Sequence, residues 1–528
     1  MERRQFFKNV IPATAVFPSL VNGFTVKAYG PGGFFESLAA AADNDHVLVI
    51  IQLSGGNDGL NTFVPLSNYG DYNNLRKNIA IPIDKVLKLD GYDKSGLHPS
   101  MKGMQQLYGQ EKLSILYSVG YPSPNFSHFR STDIWLTGAD EDQVLSTGWT
   151  GRFLSDTYSN YPIGYPNATM PDPLAIQIGS VLSPVFMGPG GFTAMAVPTD
   201  IDFYGLINGI TDPVPNSPMG TELTYLRTVA RQTNRYADTI VAAANKVSGQ
   251  AAYPAKNDLA AQLKTVARLI AGGLKTRVYM VGMGGFDTHG SQVQTGDTTT
   301  GNHSDLLRQL SEAITAFQQD ITGLGVSKRI LGMTFSEFGR RIKSNGSAGT
   351  DHGAAQPIFV FGDNVQKSVL GNPPDLPSSI DSSDSLPMQY DFRSVYSSIL
   401  RDWFCVDPSN ISNILLKNYQ YLPFIKSSAC SLNANDLNNL GQKLISNSPN
   451  PFGETTVITY KTNGGHTLVQ IFDTAGRQLG VLVDQTYDGP GTFTLTWNAG
   501  QLAAGVYYAR LQNGSIQQVR TMLKGTTR

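Results

Sequence analysis

Arg277-Val-Tyr-Met-Val-Gly-Met283 runs straight into Gly284-Gly-Phe-Asp-Thr-His289. A short apolar run is the pattern of a strand buried on both faces, and a Gly-rich turn bearing Asp287 and His289 follows it at once. A second such turn, Gly349-Thr-Asp-His-Gly353, stands just before another apolar run, Pro357–Phe361. Together the two turns hold two of the seven His of the chain, each beside an Asp. Carboxylate and imidazole at the ends of buried strands is how α/β hydrolases hold divalent metals such as zinc or manganese.

Outward from this stretch, strands and helices alternate. His46–Leu53 is a continuous β-branched and aliphatic run ending in Ser54-Gly-Gly-Asn-Asp-Gly59. Leu113–Val119, Leu174–Ile178 and Arg329–Phe335 are further strands by the same pattern. In Asp305–Ile321 the residues Leu307, Leu310, Ile314, Phe317 and Ile321 recur at three- and four-residue steps, which predicts an amphipathic helix. Thr221–Ser248 and Asn257–Gly273 read as two more helices, and Asp391–Phe404 as a closing one. The alternation predicts an α/β fold, a mostly parallel sheet with helices on both faces.

At 528 residues the chain is long for one core, so two or three domains are expected. Its 40 basic and 41 acidic residues nearly cancel, which gives no electrostatic reason to expect nucleic acid or a bare membrane as partner. The 54 Gly and 23 Tyr, with 15% charged residues, suit a loop-rich exported protein. Cys405 and Cys430 are too few for a disulfide scaffold or a Cys-based zinc cluster, and either pair with each other or stay as two thiols. Residues 1–30 open with Arg3-Arg4, then Phe6, Phe7 and Lys8, ahead of a modestly apolar stretch broken by Pro. This is similar to the twin-arginine export motif, and the apolar stretch is too short and broken to span a membrane. The twin-arginine machinery carries folded proteins, so a cofactor could be inserted before export.

The texture changes near residue 435. A turn-rich linker, 436–450, leads into short strands separated by Gly, Asn and Asp: Thr455–Tyr460, Thr467–Phe472, Gln478–Val483, Gly491–Trp497, Gly505–Leu511 and Gln517–Leu523. This spacing predicts a small antiparallel β-sandwich over 451–528. Asn450-Pro-Phe452, Val469–Gly476, Leu502–Arg510 and the closing Arg520 and Lys524 resemble the type IX (Por) C-terminal sorting domain. The resemblance implies the type IX secretion machinery as partner and a product released or anchored at the cell surface.

Residues 45–435 resemble the bacterial family DUF1501, itself distantly similar to the alkaline phosphatase and sulfatase superfamily. Gln52–Asn61, Leu97-His98-Pro99, Ser127-His128-Phe129, Gly284–His289, Ser336–Arg340 and Thr350–Gly353 carry it. The resemblance implies an alkaline phosphatase-like fold with two metals around a Ser or Thr nucleophile. Asp287, His289 and His352 fit the ligands of one metal; Asp58, Glu337 and the nucleophile Ser127 fit the other. Here the first pair is spaced Asp-x-His, and Phe338 follows Glu337 where a His belongs, so the first metal is the better supported.

The chemistry stands on the residues as well. Asp and neutral His are deprotonated near neutral pH, as metal ligands must be. Gly284, Gly285 and Gly290 permit the sharp turn that lets ligands one residue apart share an ion. A metal would activate Ser127 or a water, Arg340 and Arg341 could stabilise negative charge, and His128 could shuttle protons or ligate. The plainer alternatives remain: Ser127 as N-cap of a helix through Arg130–Leu136, Asp58 in an Asn-Asp-Gly turn, Asp351 orienting His352, His98 as structural and His303 as a helix cap. The expected function is metal-dependent hydrolysis of a phosphate or sulfate ester, small-molecule or polysaccharide, with zinc, manganese or calcium. The alternative is a non-enzymatic surface protein on a degenerate metallohydrolase fold.

Overall fold

Seven consecutive apolar or amide residues give strand β1, Val47–Leu53, and their burial alternates between two cores. Val47, Val49, Ile51 and Leu53 enter one, Leu48 and Ile50 the other. A strand with two apolar faces can only sit inside a sheet covered on both sides. The structure, a computed structural model, describes residues 18–21, 24–27, 44–158, 160–199, 236–377, 380–430, 445–473, 477–513 and 516–525. Within it the chain divides into two compact units, Met1–Cys430 and Ser431–Arg528.

The first unit is built on a nine-stranded sheet. After β1 come β2 (Leu113–Gly120), β3 (Ala175–Ile178), β4 (Ala194–Val197), β5 (Val278–Met283), β6 (Ile330–Phe335), β7 (Gln356–Phe361), β8 (Ser368–Leu370) and β9 (Tyr390–Asp391). Their spatial order is β4-β3-β5-β1-β6-β7-β2-β8, with β9 also against β2. Every pairing is parallel except those of β7, which runs antiparallel to both β6 and β2. The mostly parallel α/β reading therefore holds, with one reversed strand that an apolar run alone could not reveal.

Helices cover both faces. On one lie α1 (Lys102–Gly109), and further along the chain Asp258–Ala271 and Asn302–Gly323. On the other lie α2 (His128–Thr137), α3 (Trp149–Thr157), and the late helices Phe392–Asp402 and Pro408–Leu415. We number the last four α4, α5, α6 and α7 in chain order. In α5 (Asn302–Gly323) the five apolar residues read from the sequence are all 0% exposed, a burial that contributes at most about 15 kcal/mol. The helix expected over Thr221–Ser248 lies partly outside the described residues, and 236–245 is helical. A small antiparallel sheet of Phe63–Pro65, Tyr92–Leu97 and Leu87–Leu89 was not read from the sequence. Cys405 and Cys430 form a disulfide, which closes the alternative left by the sequence. The twin-arginine residues lie outside the described residues.

The second unit pairs its strands antiparallel: β10 (Ile445–Ser448), β11 (Thr455–Phe472), β12 (Gln478–Asn498), β13 (Gly505–Asn513) and β14 (Ile516–Lys524). Two pairs of strands expected as separate are each one long strand. The register slips between Asn463 and Gly465, so the β11–β12 ribbon shifts there without losing its pairing. The expected linker also ends early, because Ile445–Ser448 pairs with Val457–Tyr460. Ile445, Ile458, Val469, Ile471, Trp497, Ala509, Leu511 and Met522 make the core.

Candidate metal centre

Strands β5, β1 and β6 are neighbours running the same way, with Met283 opposite Leu53 and Phe335 opposite Gln52. The loops after them, 284–292, 54–58 and 336–341, therefore open at one edge of the sheet, the carboxyl edge where α/β folds place ligands. Helix α2 follows β2 at the same edge. The reversal of β7 brings the segment before it, with Asp351 and His352, there too. That segment extends the β6–β7 pairing: Gly353 N–H donates to Gly339 O (2.9 Å), and Arg341 N–H donates to Asp351 O (3.0 Å).

Asp287 is the middle of a three-residue γ-turn, in which Thr288 N–H donates to Phe286 O at 2.8 Å. Phe286 and Thr288 are buried, while Asp287 and His289 are exposed. The alternation sends the Asp-x-His pair outward together. Gly55 is needed beneath it. Its φ is +124°, and a Cβ there would lie 2.3 Å from the Asp287 amide nitrogen.

Three imidazoles surround the Asp287 carboxylate. Its Oδ1 lies 3.2 Å from His289 Nε2 and 3.3 Å from His352 Nε2, and its Oδ2 lies 3.6 Å from His128 Nε2. One donor atom each from His128, Asp287 and His352 lie within 4.8 Å of one another. Behind each ring, Nδ1 faces an oxygen: Glu337 Oε1 at 2.7 Å for His128, Asp351 Oδ1 at 3.1 Å for His289, and Phe126 O at 2.8 Å for His352. A carbonyl or ionised carboxylate oxygen only accepts, so each Nδ1 carries a proton, and in the neutral form of each ring Nε2 is the lone-pair nitrogen. The Nε2 atoms of His289 and His352 nonetheless stand 2.9 Å apart. Between two neutral rings these lone pairs repel, and either a proton on one Nε2 or a metal ion beside both relieves that. The donor set is thus suited to a metal, each imidazole being fixed by the kind of partner that orients metal-bound His.

Burial tends to raise the Asp287 carboxyl, but the Arg340 guanidinium, then His352 and His289, hold it below the usual range. Burial lowers His352, helped by the charges of Arg340 and His128 and opposed by its bonds to Phe126 O and Asp287. Asp351 also lies below its usual value: burial raises it, and hydrogen bonds from Asn345 and His289 outweigh that. Both carboxylates and His352 are therefore in ligand-ready forms at neutral pH.

The other residues singled out in the sequence go elsewhere. Asp58 is fully buried, with both oxygens on Arg76 Nη1 at 2.8 and 2.7 Å and Oδ2 accepting from Gln292 Nε2 at 2.6 Å. Read from the sequence as a ligand of the second metal, it is instead half of a buried ion pair, because a carboxylate at that depth needs a cation. Arg76, its partner, gave no signal in the sequence. Glu337 is buried too; it accepts from Gly55 N–H at 2.8 Å and holds His128 rather than joining Asp58. Phe338, in the place expected for a His, packs its ring against His128 and His352.

Arg340, expected to face substrate, has a side chain with 0% exposure. It donates to Gly56 O (2.7 Å), Thr350 O (2.8 Å), Phe286 O (2.9 Å), Gly55 O and Asp287 Oδ1 (2.7 Å). Its donors are spent fastening the loops to one another. Asp351 orients His289, not His352. Ser127 does occupy the N-cap position of α2, yet its side chain makes no capping bond and the residue is exposed. His98 and His303 are buried outside the cluster, and His303, not the helix cap, lies 3.0 Å from Asn57 Oδ1.

These features define an α/β protein with an open His and Asp cluster at the carboxyl edge of its sheet. Residues 222–387 match the model described as "Protein of unknown function (DUF1501)". Residues 448–524 match that described as "Secretion system C-terminal sorting domain". The chain thus carries a DUF1501 segment and a type IX sorting tail, which directs it to the cell surface or extracellular space. No curated protein matches it. Among solved structures it is similar to the PsFucS1 sulfatase from Pseudoalteromonas sp., at 10% identity and TM-score 0.31, covering 88% of each chain. It is also similar to an alkaline phosphatase superfamily protein from Vibrio parahaemolyticus, at 10% identity and TM-score 0.32, covering 86% of this chain and 92% of that one. These scores are low, and the fold stands on its own strand order. Among the described residues no helix is long and apolar enough to cross a membrane.

Proposed function

We propose that the protein is an exported metal-dependent hydrolase of phosphate or sulfate esters, with Asp287, His289, His352 and His128 holding the ion. The observation that carries this reading is the convergence of three imidazole Nε2 atoms on one carboxylate, each Nδ1 occupied from behind. Three nitrogens and one oxygen favour zinc or manganese over calcium, which prefers oxygen throughout. When bound, such an ion polarises an ester oxygen and lowers the pKa of a hydroxyl or water.

The chain supplies the rest. Ser127, exposed and free of a capping bond, is the candidate nucleophile directly before His128. Glu337 fixes the His128 ring by its Nδ1–H, and Phe338 packs against the same ring. Arg340 positions Asp287 without reaching solvent. We assign this role to residues 45–435 and export to the tail. Small-molecule or polysaccharide esters are the proposed substrates.

The burial of Asp58 against Arg76 favours a second reading, a surface protein in which the ion only fixes loops. Elemental analysis of the full-length chain, with a panel of phosphate and sulfate esters, separates the two. Wild type should retain zinc or manganese and turn over an ester, and Asp287→Ala should lose both. Metal without turnover would leave the surface protein; no metal in wild type would end the proposal.

A further inference from the structure

We infer that Gln292, a fully buried residue whose side chain bonds to Thr288, Thr350 and Asp58, is the positioning residue that sets the spacing of the two ligand-bearing turns. This rests on the metal reading above. Gln292 Oε1 accepts from Thr288 Oγ1 at 3.1 Å and from Thr350 Oγ1 at 3.0 Å. Thr288 stands between Asp287 and His289, and Thr350 precedes Asp351-His352. One amide oxygen therefore ties together the turns that place His289 and His352 with their Nε2 atoms 2.9 Å apart. A direct backbone bond, Thr350 N–H to Thr288 O at 3.1 Å, runs alongside.

The amide orientation is fixed from the other end. Gln292 Nε2 donates to Asp58 Oδ2 at 2.6 Å, and an ionised carboxylate only accepts, so Oε1 must face the two hydroxyls. Burial tends to raise the Asp58 carboxyl, but Arg76, His303 and Gln292 hold it below its usual range, which keeps that polarity at neutral pH. Arg76 is itself held by Ile342 O at 2.7 Å and Arg341 O at 2.6 Å, on the strand extension opposite Asp351 and His352. The chain of contacts from Arg76 through Asp58 and Gln292 to the two threonines closes on both turns. Every member is nearly or wholly inaccessible to solvent. Asp58 thus acts on the centre at one remove, through the amide it orients.

The test is zinc affinity of the full-length chain, measured by competition with a chromophoric chelator. Gln292→Met keeps the length of the side chain and removes both polar functions. It should weaken zinc binding about 10- to 100-fold, the usual effect of removing an outer partner of metal ligands. The pair Gln292→Glu with Asp58→Asn reverses the polarity of one hydrogen bond and keeps the acceptor for both threonines. It should recover most of the affinity, whereas Gln292→Glu alone should not. Should Gln292→Met fail to fold, Thr288→Val with Thr350→Val replaces it and should weaken zinc at least about fivefold. Wild-type affinity in the Gln292→Met or the double valine variant overturns the inference and leaves the metal reading standing. Recovery by neither Glu variant also overturns it. Absence of zinc from wild type overturns both.

Discussion

Acidification should destabilise the first unit through His303, and the size of the loss follows from its surroundings. The residue is 1% exposed, and its Nε2 meets Asn57 Oδ1 at 3.0 Å. Burial is the largest influence and lowers the imidazole; Asp58 opposes this, while Arg340 and Arg76 lower it further, to about 4. His98, whose ring lies 6.2 Å away, is lowered to about 3 by burial first and then by His303, against Asp58. An unfolded His titrates near ~6.5. Between that value and the folded one, the unfolded chain binds a proton that the folded chain refuses. Stability is therefore full above the unfolded pKa and falls as pH drops, by about 1.4 kcal/mol per unit for each His. From pH 7 to 5 the loss through His303 is about 2 kcal/mol. His303→Gln keeps a donor for Asn57 and removes the titration. Urea unfolding of the full chain with a chelator present, followed by tryptophan fluorescence, measures it, since Trp135, Trp149 and Trp403 are buried in this unit. The stability difference between pH 7 and 5 should shrink in the variant by about 2 kcal/mol. An unchanged difference would refute the claim that a neutral, buried His303 is part of the fold.

Two more predictions concern a glycine and the disulfide. Gly55→Ala places a methyl group against the Asp287 backbone at a positive φ, so it should destabilise the first unit by more than about 2 kcal/mol in urea unfolding and weaken zinc binding with it. Cys405→Ser with Cys430→Ser opens a link across 25 residues of sequence separation, and should lower the stability of the oxidised protein by roughly 3 kcal/mol, as read by the urea midpoint against wild type.

The sheet was legible because six of its strands are short apolar runs, most of them running into Gly, and burial on both faces leaves that mark. What did not show was direction. Pro357–Phe361 reads the same whether parallel or reversed, and only the pairing settles it. Short partners such as Ser368–Leu370 and Tyr390–Asp391 carry too few residues for a period. In the tail, Asn463, Gly464 and Gly465 read as a turn, yet a bulged ribbon keeps its pairing through them. At the centre, Asp287, His289 and His352 stood out because their types are rare and their turns glycine-rich. Asp58 misled because its identity is that of a ligand while its depth demanded an ion pair. Arg76 and Gln292 were invisible because buried polar residues announce their role only through three-dimensional partners.

The reversed β7 has a consequence for how the centre is inherited along the chain. Because β6 leaves and β7 returns at the same edge, the whole excursion from Ser336 to Ala355 starts and finishes beside the cluster. Arg340 and His352 sit opposite each other within it. Glu337, Arg340, Asp351 and His352 therefore travel as one contiguous cassette hung on a hairpin. The other contributions come from separate crossovers. A length change in one of those crossovers displaces its own loop first; one at the tip of the hairpin leaves the paired stem in step but moves Asn345, which holds Asp351.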